Sequence, residues 1–197
     1  MIGVFGGAFN PIHTGHLLLA EYIREEFKLE KVVFVPAGKP PHKQDNEMES
    51  AQHRYNMVQL AISQNPFFEI SSTEIDRKGT SYTSDTLKEM KDCYPDRKIG
   101  FICGADSIVN LTTWHNISEI FALSELIVAG RKDVQDAEFQ SQLCLFEDQY
   151  NAKFHFASTP LIEISSTLIR KRLNNGLSIR YMVPDKVFNY IQLHMLY

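Results

Sequence analysis

Two histidines three residues apart, His13 and His16, stand at the end of the run Gly3-Val4-Phe5-Gly6-Gly7-Ala8-Phe9-Asn10-Pro11-Ile12. A short apolar strand passes through glycines into this pair, and small residues let a ligand approach the backbone closely. If Leu17 onward is helical, both imidazoles lie near one side of its first turn, beside orphan N–H groups and the positive end of its dipole. Imidazole N–H groups so placed can donate to anionic oxygens, which points to phosphate handling. Neither hydride transfer nor acyl transfer is explained by the pair alone. Zinc fits less well, because the spacing is not HExxH and no third ligand follows from it. The glycines match neither GxGxxG nor GxxxxGK[ST], so neither familiar phosphate-binding fingerprint applies.

Other segments carry groups of the same kind. Ile164-Ser165-Ser166-Thr167-Leu168-Ile169-Arg170 offers hydroxyl and backbone donors at a helix start, followed by a forked cation. Pro40-Pro41-His42-Lys43 is a small positive island, with Lys39 a weaker member. Gly104-Ala105-Asp106 follows a strand-like run, a suitable place for a nucleotide at a sheet edge. Asn10 and Arg131 are lesser candidates, since a turn and surface charge account for them.

These residues need a scaffold, and the hydrophobic pattern specifies an α/β one. Strands are predicted at 2–6, 31–35, 67–71, 99–104, 125–130 and 153–157. The third-from-last and second-from-last of these are unbroken apolar runs suited to a parallel-sheet interior. Between them, Leu17, Leu18, Ala20, Tyr22, Ile23 and Phe27 supply an apolar helix face. Ser50 can start a helix carrying Tyr55, Met57, Val58, Leu60 and Ala61, and Thr83 or Ser84 another reaching Leu87 and Met90. Residues 134–150 are helix-compatible. A strand end feeds a capped helix at 164–170, and 185–196 form a last helix after Pro184. No linker or repeat divides the chain, so 1–197 reads as a single domain.

Composition narrows the class further. The 197 residues are 44% hydrophobic and 22% charged, ordinary values for a folded globular protein. A net charge of −4 excludes a broad basic surface for long nucleic acid, while a locally positive cleft stays compatible. No secretory signal or transmembrane-length run is read in the sequence. Cys93, Cys103 and Cys144 are odd in number and widely spaced, which fits reduced thiols in the cytoplasm.

Taken together, GGAFNPIHTGH, PPHK, SYTSDT, GADS, TWH and ISSTLIR resemble the HxGH nucleotidyltransferases, and among them the bacterial nicotinate mononucleotide adenylyltransferases, over nearly the whole chain. The resemblance implies a Rossmann-like nucleotidyltransferase fold with a central parallel sheet flanked by helices. It implies adenylyl transfer from ATP to nicotinate mononucleotide by direct displacement, giving nicotinate adenine dinucleotide and pyrophosphate. His13, His16 and Arg170 would be catalytic. Gly6, Gly7, Gly104, Asp106, Ser166 and Thr167 would join them in binding ATP, with Arg170 on the phosphates. Asn10, His42, Lys43, Tyr82, Thr83, Asp85 and Trp114 would bind nicotinate mononucleotide, Trp114 stacking on the pyridine ring and the backbone near Tyr82-Thr83 recognising its carboxylate. Mg2+ would accompany the substrate phosphates, with no dedicated protein metal site and no permanently bound organic cofactor. A homodimer follows by family analogy only; neither membrane nor long nucleic acid is an expected partner. The chain departs from the family in having Thr80 where proline often precedes SYT, and Lys132-Asp133-Val134 where a glycine-containing continuation is usual. The alternatives are a related enzyme using nicotinamide mononucleotide, phosphopantetheine or another phosphorylated acceptor, and an inactive nucleotide-binding regulator.

Overall fold

β-branched and aromatic runs separated by helices assemble into one parallel sheet in the computed structural model, which describes residues 1–40, 48–130, 137–160 and 162–197. Its strands are β1 (Ile2–Gly7), β2 (Lys31–Pro36), β3 (Phe68–Ile70), β4 (Ile99–Gly104), β5 (Glu125–Ala129) and β6 (Phe154–Phe156). They are ordered β3-β2-β1-β4-β5-β6, and every neighbouring pair is parallel. The chain builds outward from β1 through β2 to β3, then returns to lay β4 on the other side of β1. That reversal opens a crevice at the carboxyl ends of β1 and β4, where ligands of open α/β sheets bind.

Successive side chains of a strand point to opposite faces, so each apolar strand feeds two cores. Ile2, Val4, Phe101, Leu126 and Val128 pack on one face with Leu87, Met90, Ile120 and Phe146. Phe5, Phe34, Ile102 and Ile127 pack on the other with Ile23, Met57, Val58, Ile169 and Ile191. The covering helices are α1 (Thr14–Glu26), α2 (Ala51–Ile62), α3 (Thr73–Asp76), α4 (Thr83–Cys93), α5 (Ala105–Val109), α6 (Ile117–Leu123), α7 (Ala137–Tyr150), α8 (Ser166–Asn174) and α9 (Asp185–His194). Ser50 caps α2 as its position predicts, its hydroxyl accepting from the His53 N–H at 3.2 Å. No described helix is long and apolar enough to cross a membrane.

The structure corrects some local expectations. Leu18 and Tyr22 are exposed at 42% and 46%, and the face of α1 that enters the core is carried by Ala20 and Ile23. Ile164 lies outside any strand, and the chain enters α8 directly through Ser165, whose hydroxyl accepts from the Leu168 N–H at 3.1 Å. The short elements α3, α5, α6 and a 3-10 turn at Leu111–Thr113 lack the two or three turns from which periodicity is read.

Candidate active site

β1 delivers the first motif to the crevice, and α1 begins inside it. His13 is the residue before α1 and His16 lies in its first turn, so one helical turn brings the rings together. They stack with centroids 3.7 Å apart and planes 26° from parallel. The His13 N–H donates to His16 Nδ1 at 3.2 Å. That bond makes Nδ1 an acceptor, which leaves the proton of a neutral His16 ring on Nε2. Phe5 and Phe9 pack edge-on against the His16 ring at 6.0 and 5.1 Å. Burial pushes the His13 pKa down to about 4. Burial and the neighbouring His13 push that of His16 down to about 3. At neutral pH the ligand-free pair is therefore uncharged, an N–H donor set rather than a double cation. His13 Nδ1 is buried with no hydrogen-bond partner among the described residues. Glycine at position 15 leaves the ring its place, since a Cβ there would lie 3.0 Å from His13 Nδ1.

The helix start offers fewer free backbone donors than the sequence predicts. Thr14 N–H is engaged by the Met182 carbonyl at 2.9 Å and His16 N–H by the His13 carbonyl at 3.0 Å. The donors facing a ligand here are thus chiefly side chains.

His13 and His16 border a cavity of about 750 Å³ whose wall also contains Gly104 at the end of β4, Gly130 after β5, and Ser158-Thr159-Pro160 after β6. Leu19, Tyr22, Ile162 and Ile164 give it an apolar side. The exposed Tyr22 ring is thereby explained: it belongs to the cavity wall and not to the core. The other predicted phosphate segment adjoins the first motif. Ser166 Oγ donates to the Pro11 carbonyl at 2.8 Å, and Arg170 Nη1 donates to the Asn10 carbonyl at 2.7 Å. Arg170 Nη2 also lies 3.4 Å from Thr167 Oγ1, in the first turn of α8.

A second cavity, of about 290 Å³, is walled by Tyr82, Thr83 and Trp114 together with Ser81, Thr113, His115 and Ile120. Tyr82 and His115 face each other with centroids 4.4 Å apart. Trp114 is held edge-on by Phe101 of β4 at 6.0 Å. Asp85 sits in the first turn of α4, the helix that begins at the wall residue Thr83. Gly6 and Gly7 are the last residues of β1, and Asp106 is in the first turn of α5 just after the cavity-lining Gly104. His42, Lys43 and Arg131 lie outside the described residues.

Two buried groups absent from the sequence reading tie these segments together. Arg54, 1% exposed, donates to the carbonyls of Ala8 at 2.8 Å, Ala37 at 2.6 Å, Gly38 at 3.2 Å and Glu49 at 3.0 Å. It thus joins the first motif to the chain leaving β2. Glu74, also buried, accepts from Thr86 Oγ1 at 2.7 Å, and burial raises its pKa against the pull of hydrogen bonds from Thr86 and Ser81. Gly38 is required here because a Cβ would fall 2.0 Å from the Glu74 carbonyl oxygen. Lys39 N–H and Ser81 Oγ, 3.2 Å apart, close the link to the second cavity.

The cytidylyltransferase-like family matches residues 4–172. A protein of Desulfitobacterium hafniense (strain Y51) named "Probable nicotinate-nucleotide adenylyltransferase" is 44% identical over 196 residues, spanning 100% of this chain and 95% of the relative. The chain belongs to the nicotinate-nucleotide adenylyltransferase family. Another so named, from Thermoanaerobacter sp. (strain X514), is 43% identical over 197 residues, or 100% of this chain and 93% of its own. The fold is similar to that of Plasmodium falciparum nicotinic acid mononucleotide adenylyltransferase, solved in complex with NaAD, with a TM-score of 0.79 at 21% identity, covering 99% of this chain and 96% of that one. In this member of the nicotinate-nucleotide adenylyltransferase family, the histidine pair, the start of α8 and the Tyr82–Trp114 wall lie in the segments GGAFNPIHTGH, ISSTLIR, SYTSDT and TWH.

Proposed function

We propose that the protein transfers the adenylyl group of ATP to nicotinate mononucleotide, releasing pyrophosphate and nicotinate adenine dinucleotide. The observation that carries this reading is the stacked, uncharged His13–His16 pair on the wall of the large cavity at the sheet's reversal point. An acceptor phosphate oxygen forms a bond to the α-phosphorus of ATP as the bond to the bridging oxygen breaks, and the electron pair leaves with pyrophosphate. No covalent enzyme intermediate is required, so the side chains act by positioning and by stabilising charge. His16 Nε2–H, fixed in direction by the bond at Nδ1, donates to phosphate oxygen, with His13 beside it. Arg170 adds the forked charged contact on the phosphates. Gly6, Gly7, Gly104, Asp106, Ser166 and Thr167 complete the ATP side.

The Tyr82–Thr83–Trp114 cavity takes the nicotinate mononucleotide ring, Trp114 by stacking and the Tyr82-Thr83 backbone by donating to the carboxylate. Asp85 orders that wall, and His42 and Lys43 are assigned to the acceptor phosphate. Asn10 belongs to the same side, although its Oδ1 is committed to Glu49 N–H and Tyr197 hydroxyl. Among the described residues no three His, Cys, Asp or Glu side chains gather around a metal position. Mg2+ is assigned to the substrate phosphates, whose charge it neutralises, with water as its remaining ligands. A single working domain over 1–197, a cytoplasmic location and a homodimer complete the proposal, carried by the sequence patterns and family analogy.

The test is product formation by purified protein with magnesium-ATP and, separately, nicotinate mononucleotide, nicotinamide mononucleotide and phosphopantetheine. The acid should be used with a kcat/KM at least about tenfold above that of the amide, because an amide presents an N–H where two anionic acceptors are wanted. Equal or better use of either other acceptor would overturn the assignment.

A further inference from the structure

α9 ends at His194, and the chain then reverses. Met195 takes up the left-handed region at φ 50° and ψ 45°, and Leu196 N–H donates to the Ile191 carbonyl at 3.1 Å. This helix-ending turn sinks Leu196 into the core and turns Tyr197 toward the first motif. The Tyr197 hydroxyl donates to Asn10 Oδ1 at 2.8 Å, and its N–H donates to Glu49 Oε1 at 3.3 Å. Glu49 N–H donates to the same Asn10 oxygen at 3.1 Å. Arg170 Nη1 takes the Asn10 carbonyl, and Arg54 Nε the Glu49 carbonyl. One buried asparagine, three residues before His13, is thus gripped at its side chain by Tyr197 and at its backbone by Arg170. Burial and the Glu49 charge keep the phenol protonated against the opposing pull of Arg170 and Arg54, so it is a donor at working pH.

We infer that Tyr197 is a positioning residue for adenylyl transfer. Acting through Asn10, it fixes the backbone that leads into His13 and the carbonyl that aims the Arg170 guanidinium. A phosphate-directed donor displaced by even about 1 Å can cost about 100-fold in rate, which is why a hydroxyl that touches no substrate can govern turnover. The inference rests on the function proposed above.

Tyr197→Phe removes the hydroxyl and keeps the ring. Its effect is measured as kcat and KM for both substrates, in the wild-type and Asn10→Ala backgrounds, alongside amide hydrogen exchange of the free protein. The expected result is a kcat loss of about tenfold or more with KM for ATP within about twofold, shrinking to within about twofold in the Asn10→Ala background. Exchange should quicken at residues 8–16 and stay unchanged in the strands. A folded Tyr197→Phe protein with kcat within about twofold of wild type overturns the inference, as does an equal loss in both backgrounds. Should Asn10→Ala be too weak to assay, unchanged exchange at residues 8–16 in Tyr197→Phe overturns it alone. Wild-type protein that makes no product would instead defeat the functional reading, and the exchange measurement separates the two failures.

Discussion

Acid should destabilise the ligand-free protein through His13 and His16 before its carboxylates are affected. Both histidines have pKa values depressed by burial, to about 4 and about 3 from an ordinary value of 6.5. Below pH 6.5 the unfolded chain gains protons that the folded pair refuses, so their contribution is complete above 6.5 and is lost as pH falls toward 4 and 3. At about 1.36 kcal/mol per pH unit, falling to pH 5 removes about 2 kcal/mol of stability for each ring. Glu74, whose pKa is raised by burial, works in the opposite direction, and the stabilisation from Glu21, Glu69 and Glu125, with lowered values, is complete above the ordinary carboxylate range and is lost only as pH falls below it. Those groups are common to wild type and to a His13→Asn/His16→Asn double variant, so the difference between the two proteins isolates the pair. Urea unfolding of both at pH 7.5 and at pH 5.0 is the assay. Wild type should lose about 3–4 kcal/mol more than the double variant. Equal losses, within about 1 kcal/mol, would refute the claim that the folded site holds two neutral imidazoles.

Gly15→Ala should separate activity from stability. The added Cβ would press on the His13 ring at 3.0 Å while improving helix propensity by up to about 1 kcal/mol, so turnover should fall about tenfold or more with melting temperature unchanged or raised; normal kcat would contradict the tight placement of His13. Arg54→Ala should cost about 3–5 kcal/mol in denaturant unfolding, because it strands the carbonyls of Ala8, Ala37, Gly38 and Glu49; a loss under about 1 kcal/mol would show that Arg54 does not tie those segments.

Much of this site can be read in the sequence because its parts are local. His13 and His16 meet because they are one helical turn apart, and Ser165 caps α8 within three residues of the N–H that it serves. The strands are legible for a similar reason, since a buried parallel strand is an unbroken apolar run in the chain. Arg54 is not legible in this way. Within Gln52-His53-Arg54-Tyr55-Asn56 it looks like an ordinary polar helix residue, and its partners come from the loops after β1 and β2 and from the residues before α2. Its only sequence signal is a charge at a position between the core residues of α2. Tyr197 meets Asn10 across 187 residues of sequence, and the Ser158-Thr159-Pro160 wall joins the cavity only once β6 is paired with β5. Tyr22 escapes the pattern because a helix beside a cavity can show apolar side chains to a ligand as well as to the core, while nothing in the structure explains the exposure of Leu18.

Adenylyl transfer driven by the stacked imidazoles is the central claim, and single-turnover formation of nicotinate adenine dinucleotide by wild type and His16→Ala, with both substrates saturating, tests it most directly. Loss of one fixed donor to the developing phosphate charge should slow the chemical step about 100- to 1,000-fold while the variant stays folded. A folded His16→Ala protein that forms the dinucleotide within about threefold of the wild-type rate would contradict the account.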